Sequence, residues 1–164
     1  MVKRLLILRH AKSSWADQSL DDRLRPLNER GRRDAPRAGR WLRERRVMPD
    51  LIIASDAVRA RTTAEAVAEA AACRSKIVIE PSLYHAAPQD VIDVLREVPD
   101  ETHTVLVVGH NPGLEDLIQQ LTGESHRMPT AALVDLELPI ERWRDLDESV
   151  ATAIVETWQP RDEQ

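Results

Sequence analysis

The sequence predicts an α/β fold, a three-layer αβα sandwich around a mainly parallel sheet with an antiparallel edge. Three observations predict it. Within Lys3–Leu8 the four apolar residues Leu5–Leu8 are continuous rather than alternating, as in a strand covered on both faces. Three further apolar segments, Leu51–Ser55, Lys76–Glu80 and Thr102–His110, are separated by stretches with helical spacing, so the order is β-α-β-α-β-α-β-α. The tail then changes character: Ala132–Leu138 and Val150–Trp158 partly alternate, which predicts an edge hairpin across the Arg142–Glu148 region.

Each element has a local reason. A loop follows the first strand to about Leu27, where Asn28 is a helix N-cap and the helix carries on toward Arg45. Pro36 lies inside that helix and should kink it or mark a fresh start. Pro49-Asp50 turns the chain into Leu51–Ser55, and an Ala-rich helix follows at Val58–Ala72. Pro88 suits the first turn of a helix running to about Val98. The fourth strand is the most apolar, and the helix after it, Gly113–Leu121, ends before Gly123. No repeat, low-complexity segment or linker interrupts residues 1–164, so one domain is expected.

Composition narrows the function. The 164 residues suffice for a real core, with 42% hydrophobic and 31% charged residues. With no Phe and one Tyr, that core must be Leu, Ile, Val and Ala. The net charge of -5 gives no reason to expect a nucleic-acid partner, and arginines clustered at 23–46 read mainly as a solvated helix face. No apolar run approaches membrane-spanning length, and the N-terminal run is too short for a signal-peptide core. The lone Cys73 cannot pair within the chain and reads as a buried small residue of the Ala-rich helix, so a cytoplasmic setting is expected.

In open α/β sheets ligands bind beyond the carboxyl ends of the strands. There the first strand delivers Arg9 and His10. The second delivers Ser55 and Asp56, with Arg59 and Arg61 just inside the next helix. The fourth delivers Gly109, His110 and Asn111, with Pro112 and Gly113 opening a helix. Each piece alone has a plain reading: a loop pair, a surface arginine, a turn. His103 and His126 read as surface or turn residues. Together, two imidazoles, two guanidiniums and the helix N-termini at that rim suit an anion, and guanidinium forks match phosphoryl oxygens. No G-x-G-x-x-G follows the first strand, which sets aside a dinucleotide site.

The segments "LRHAKSSW" at 8–15, "SDAVRARTTAE" at 55–65 and "VVGHNPG" at 107–113 resemble the histidine phosphatase superfamily, the phosphoglycerate mutase-like fold. The short length and "RHAKS…RPLNERG" are similar to its small branch, typified by the phosphohistidine phosphatase SixA. The resemblance covers Lys3 to about Leu138. It implies that His10 is a nucleophile forming a phosphohistidine intermediate, that Arg9 and Arg59 hold the nonbridging oxygens, and that His110, as imidazolium, supplies a further donor. It implies no metal and no cofactor. Asn111 and Ser13 would line the pocket, and Lys12 has two readings, a contact to an acidic substrate or a solvated side chain.

The chain also departs from the family. Ala11 stands where many members have glycine. Larger members carry a glutamate general acid after the third strand; here the region reads "EPSLYHAAPQD", with Tyr84 or His85 at that place, Glu80 on the strand side and Asp90 in the helix. Either His85 or another group stands in, or the acid is dispensable, the preferred reading. An imidazole leaving group, with pKa about 6.5, needs far less help than an alkoxide. The connections leave no room for a lid subdomain, so a shallow pocket is expected, open to a side chain displayed on a protein. The favoured expectation is therefore a metal-independent phosphatase acting on protein phosphohistidine. The alternatives are a small-molecule or aryl phosphomonoesterase and a non-catalytic phosphate-binding module. A mutase, which needs a closed pocket, ranks below these.

Overall fold

The computed structural model describes residues 2–161. The chain runs through β1 (Lys3–Arg9), α1 (Glu29–Arg45), β2 (Leu51–Ala54), α2 (Val58–Ala70), β3 (Lys76–Ile79), α3 (Pro88–Arg96), β4 (Thr104–Gly109), α4 (Gly113–Thr122), β5 (Leu133–Leu138) and β6 (Ala153–Trp158). The strands form one sheet in the order β3-β2-β4-β1-β5-β6. β1, β2, β3 and β4 are parallel, β5 pairs antiparallel with β1, and β6 pairs antiparallel with β5. This is the mainly parallel sheet with an antiparallel edge that the sequence predicts. Among the described residues, no helix is long and apolar enough to cross a membrane.

The apolar runs have no polar face because both faces are covered. Leu5 and Ile7 of β1, with Val105 and Val107 of β4, pack into the layer of α3 and α4. Leu6 and Leu8, with Leu106 and Val108, face α1 and α2. Trp143 closes the first layer, fully buried, its indole N–H donating to the Thr102 carbonyl at 2.7 Å.

Two local expectations need correction, and a third holds with an exception. Pro36 starts no new helix: α1 is continuous from Glu29 to Arg45. Proline removes one hydrogen bond, and the buried face of Ala35, Ala38, Gly39 and Leu42 holds the helix against α2. Cys73 lies beyond α2, which ends at Ala70 where Ala72 takes the left-handed conformation (φ 55°), and its thiol is only half-buried. The arginine-rich stretch is mainly a solvated face, as expected, since the arginines of α1 are exposed apart from the half-buried Arg37, but the loop before the helix departs from it. Arg25 is buried, and Arg37 approaches the buried Asp34 at 3.0 Å.

Asn28 caps α1, its side chain accepting from Gly31 N–H at 2.9 Å. The loop between β1 and α1 closes at a neck: Ser13 bridges Leu27, Ser14 N–H donates to the Pro26 carbonyl, and Asn28 N–H donates to the Lys12 carbonyl. At the neck α1 comes so close that a Cβ on Gly31 would lie 2.1 Å from the Lys12 carbonyl oxygen. Backbone cannot yield as a flexible side chain can. Gly31→Ala is expected to lower unfolding stability by about 1–3 kcal/mol, read as a shift of the denaturant midpoint; an unchanged midpoint would mean that the neck gives way freely.

Candidate active site

β1 and β4 end level, Arg9 opposite Gly109. The next residues, His10 and His110, therefore leave the sheet side by side, their ring centroids 5.0 Å apart. His10 N–H donates to the Gly109 carbonyl at 3.0 Å. Arg59 enters from the first turn of α2, and Thr63 one turn on fixes that helix to the catalytic strand. Its hydroxyl donates to the Arg59 carbonyl at 2.6 Å and accepts Ala11 N–H at 3.0 Å. A cleft of about 220 Å³ collects all eight site residues expected from sequence: Arg9, His10, Lys12, Ser13, Arg59, His85, His110 and Asn111.

The geometry fixes the His10 tautomer. Nδ1 lies 2.7 Å from the Ala11 carbonyl oxygen. A carbonyl only accepts, so Nδ1 carries the proton and Nε2 keeps the lone pair. Burial pushes the imidazole down to about 4, and the nearby guanidiniums of Arg59, Arg9 and Arg25 add to this against the opposing Ala11 hydrogen bond. His110 is pushed down to about 3, by burial first and then by His10, Arg59 and His85. Its Nε2 lies 2.8 Å from Ser55 Oγ, which also accepts Ala57 N–H. The resemblance casts His110 as an imidazolium; in the free site it is neutral, because burial first and the Arg59 guanidinium beside it disfavour a charge there.

The two arginines are oriented differently. Arg9 Nη1 donates to the Met128 carbonyl at 3.1 Å. Arg59, 5% exposed, is gripped by Asp22: Nη1 donates to its carbonyl oxygen at 2.6 Å and Nη2 to Oδ2 at 2.9 Å. The Nε atoms of both arginines are buried without a hydrogen-bond partner among the described residues. A buried donor left unpaired is costly, and two such donors beside His10 suit an oxyanion.

The remaining expectations divide. Ser13 accepts from Arg25 Nη1 at 2.8 Å. Asn111 donates to Glu115 at 2.8 Å and to the Met128 carbonyl at 2.9 Å. Lys12 is exposed at the rim, and so is His85, in the left-handed conformation (φ 54°). Tyr84 does not line the cleft; its hydroxyl donates to Asp22 Oδ2. Glu80 and Asp90 are engaged locally, accepting from Ser82 and Ala87 N–H, and among the described residues no Asp or Glu lines the cleft. The N-terminus of α4 does not serve the cleft as expected. No residue of α4 lines it, and Glu115, in that helix's first turn, takes up Asn111. Among the described residues, no group of three or more His, Cys, Asp or Glu side chains is placed to hold a metal ion.

Sequence reasoning missed Asp22, Arg25, Trp15 and Thr130. Asp22 ties Arg59, Arg25 (Nε to Oδ1, 2.9 Å) and Tyr84 together. Tyr84's hydroxyl first, then Arg59 and Arg25, hold its carboxyl well below the usual range against the effect of burial. The available signal was two aspartates among arginines in the loop just after the catalytic strand, Asp21-Asp22-Arg23-Leu24-Arg25.

Two measurements check this geometry. Tyr84 is the sole tyrosine, so ultraviolet titration of phenolate reports it alone. It is expected to ionise above its ordinary value, through burial first and Asp22 second, and Asp22→Asn is expected to bring it down. An identical titration in the variant would mean that the carboxylate does not hold the hydroxyl. The histidines predict a pH slope. Unfolded histidine binds a proton near 6.5, whereas folded His10 and His110 wait until about 4 and about 3. Between these values the unfolded chain binds more protons, so their contribution falls as pH drops from about 7 toward 4. His110→Gln is expected to flatten that slope in denaturant unfolding; an unaltered slope would place the proton uptake elsewhere.

Comparison with known proteins places the chain in a family. The model of the histidine phosphatase superfamily (branch 1) matches residues 5–87. An uncharacterized protein of Mycobacterium tuberculosis is 34% identical over 158 residues, 90% of this chain and 96% of its own. An uncharacterized chloroplastic protein of Arabidopsis thaliana is 32% identical over 153 residues, 87% of this chain and 70% of its own. A structure from Agrobacterium tumefaciens, assigned as the phosphohistidine phosphatase SixA, superposes with a TM-score of 0.82 at 28% identity, covering 96% of this chain and 99% of that one. The protein histidine phosphatase SixA complexed with tungstate shares the fold, with a TM-score of 0.78 at 24% identity over 94% of this chain and 95% of that one. With the paired histidines at the level ends of β1 and β4, these likenesses show that the chain belongs to the histidine phosphatase superfamily, in its SixA-like form.

Proposed function

We propose that the protein is a metal-independent phosphatase that takes the phosphoryl group of a protein phosphohistidine onto Nε2 of His10 and releases it to water. The observation that carries this reading is the Nδ1–H contact to the Ala11 carbonyl. It leaves a neutral imidazole with its lone pair on Nε2, the form a nucleophile must have.

The same contact serves both half-reactions. In the first, Nε2 forms a bond to phosphorus as the bond from phosphorus to the substrate nitrogen breaks. A phosphoimidazole protonated on its second nitrogen departs as neutral imidazole, whose conjugate acid has a pKa of about 6.5. The open cleft lets solvent supply that proton. In the second, the intermediate on His10 is itself a phosphoimidazole with a protonated Nδ1. Water attacks phosphorus, its proton leaves with the phosphate, and His10 returns as neutral imidazole. Neither step requires a carboxylic acid, consistent with Glu80 and Asp90 being engaged elsewhere. Arg9 and Arg59 would meet the nonbridging oxygens through their unpartnered Nε–H groups, and His110 would gain a proton as the anion enters beside it. Asn111 and Ser13 shape the wall. Lys12 and His85 stand where the polypeptide around the phosphorylated residue would pass. The SixA structure complexed with tungstate, a tetrahedral oxyanion, supports an oxyanion as the ligand.

Phosphate release from a phosphohistidine-bearing protein, with a chelator present, is expected for the wild type and expected to fall to background in His10→Ala. Acid-labile label retained on the wild type but not the variant would locate the intermediate. Absence of release from phosphohistidine, with turnover of phenyl phosphate, would move the assignment to an aryl phosphomonoesterase.

A further inference from the structure

Trp15 is a large apolar side chain left 66% exposed, and it stands at the lip of the cleft that holds His10. It is nevertheless held. The Arg25 guanidinium covers one ring face, 3.6 Å from its centroid. Arg25 in turn is buried and tied to Asp22 Oδ1 at 2.9 Å, Ser13 Oγ at 2.8 Å and the Ser14 carbonyl at 3.2 Å. The second face of the indole has no ring or cation against it among the described residues. A rigid, desolvatable aromatic surface thus borders the nucleophile.

In-line phosphoryl transfer decides what meets it. Attacking and leaving atoms lie on opposite sides of phosphorus. His10 is buried at the floor, so the leaving group projects outward to the rim, where Trp15 and His85 are the flat side chains. Building on the proposed transfer to His10, we infer that Trp15 is a specificity-determining residue whose free face receives a planar aromatic leaving group, the imidazole of the phosphorylated histidine. Offset stacking on the indole holds that ring while the arginines hold the phosphoryl group, and a non-planar leaving group gains nothing from it.

Two non-hydrolysable probes separate ring from phosphoryl recognition: phenylphosphonate and methylphosphonate, titrated calorimetrically against wild type, Trp15→Ala and Trp15→Phe. Wild type is expected to prefer phenylphosphonate. Trp15→Ala is expected to lose about three- to tenfold of that affinity, with methylphosphonate unchanged and Trp15→Phe retaining most of the preference. The proposal is overturned if wild type binds both probes equally or does not bind phenylphosphonate. Equal weakening of both probes in Trp15→Ala would overturn it too, since that is the result if Trp15 merely props Arg25. Turnover of phosphoimidazole against phosphoramidate gives the kinetic counterpart. If wild type hydrolyses neither, the phosphatase reading fails, while the phosphonate pair still decides the role of Trp15.

Discussion

The register between β1 and β4 is the constraint on which the site depends. Arg9 opposite Gly109 is what sets two histidines from distant parts of the chain next to each other. The apolar pattern does not fix that register by itself. A one-residue slip exchanges the two faces of a strand, but both faces of β1 are buried and aliphatic, so a slip would still bury aliphatic side chains. The polar ends break the tie. Arg4 forms a bidentate pair with the buried Asp135 of β5 at 3.0 and 2.6 Å, and its N–H donates to the His103 carbonyl. At the other end His10 N–H meets Gly109 and Ala11 N–H meets Thr63. A slipped strand would bury Asp135 unpaired, which is severe in an apolar interior.

The electrostatics of the cleft act as one device. Burial and three guanidiniums keep His10 neutral, and on the proposed function the same guanidiniums would draw in an anion. Such a concentration of cations would repel itself without a counter-charge, and Asp22 supplies one off to the side. It binds both terminal nitrogens of Arg59, which fixes the plane of the guanidinium and leaves Nε free. Burial pushes Arg9 down from its ordinary value, with Glu115 as the opposing charge, so each phosphate-facing arginine has a carboxylate in its surroundings. An entering dianion changes the balance for the histidines, since negative charge beside a neutral imidazole favours its protonation. His110 is thus neutral when the site is free and able to become a cation when it is filled.

Elements fixed by local chemistry were legible in the sequence. Asn28 caps α1, Pro88 opens α3 and the tail pairs at the edge, because capping, proline geometry and alternation are short-range. The eight cleft residues were legible because strand ends in a parallel sheet share one rim and because the motifs carry a family resemblance. Asp22, Arg25 and Trp15 were not. Their places follow from the neck at Ser13 and Leu27 and from a single turn of 3₁₀ helix at Asp22–Leu24, neither of which has a periodic signature. Arg25 misled for a related reason. Composition sees an arginine among arginines, whereas burial depends on which carboxylate and which ring the fold sets beside it. The α4 N-terminus misled in the opposite sense: no residue of that helix lines the cleft, and Glu115 in its first turn accepts from Asn111.

The loop between β1 and α1 therefore divides the work with the sheet. The ends of the sheet strands and the first turn of α2 carry His10, His110, Arg9 and Arg59, on rigid elements where misplacement is small. The loop carries Trp15 and Arg25, which line the cleft, and Asp22, which holds Arg25 and Arg59 from behind it. Loops tolerate substitution that packed strands do not, yet this one is pinned at both ends: at the neck through Gly31 against Lys12, and at its far side through Asp22 on Arg59. A change of loop sequence that keeps those two anchors can alter which leaving group the rim accepts and leave the transfer chemistry intact. A change at either anchor reaches the chemistry directly, because Lys12 lies two residues from His10 along the backbone and Asp22 holds the arginine that faces it.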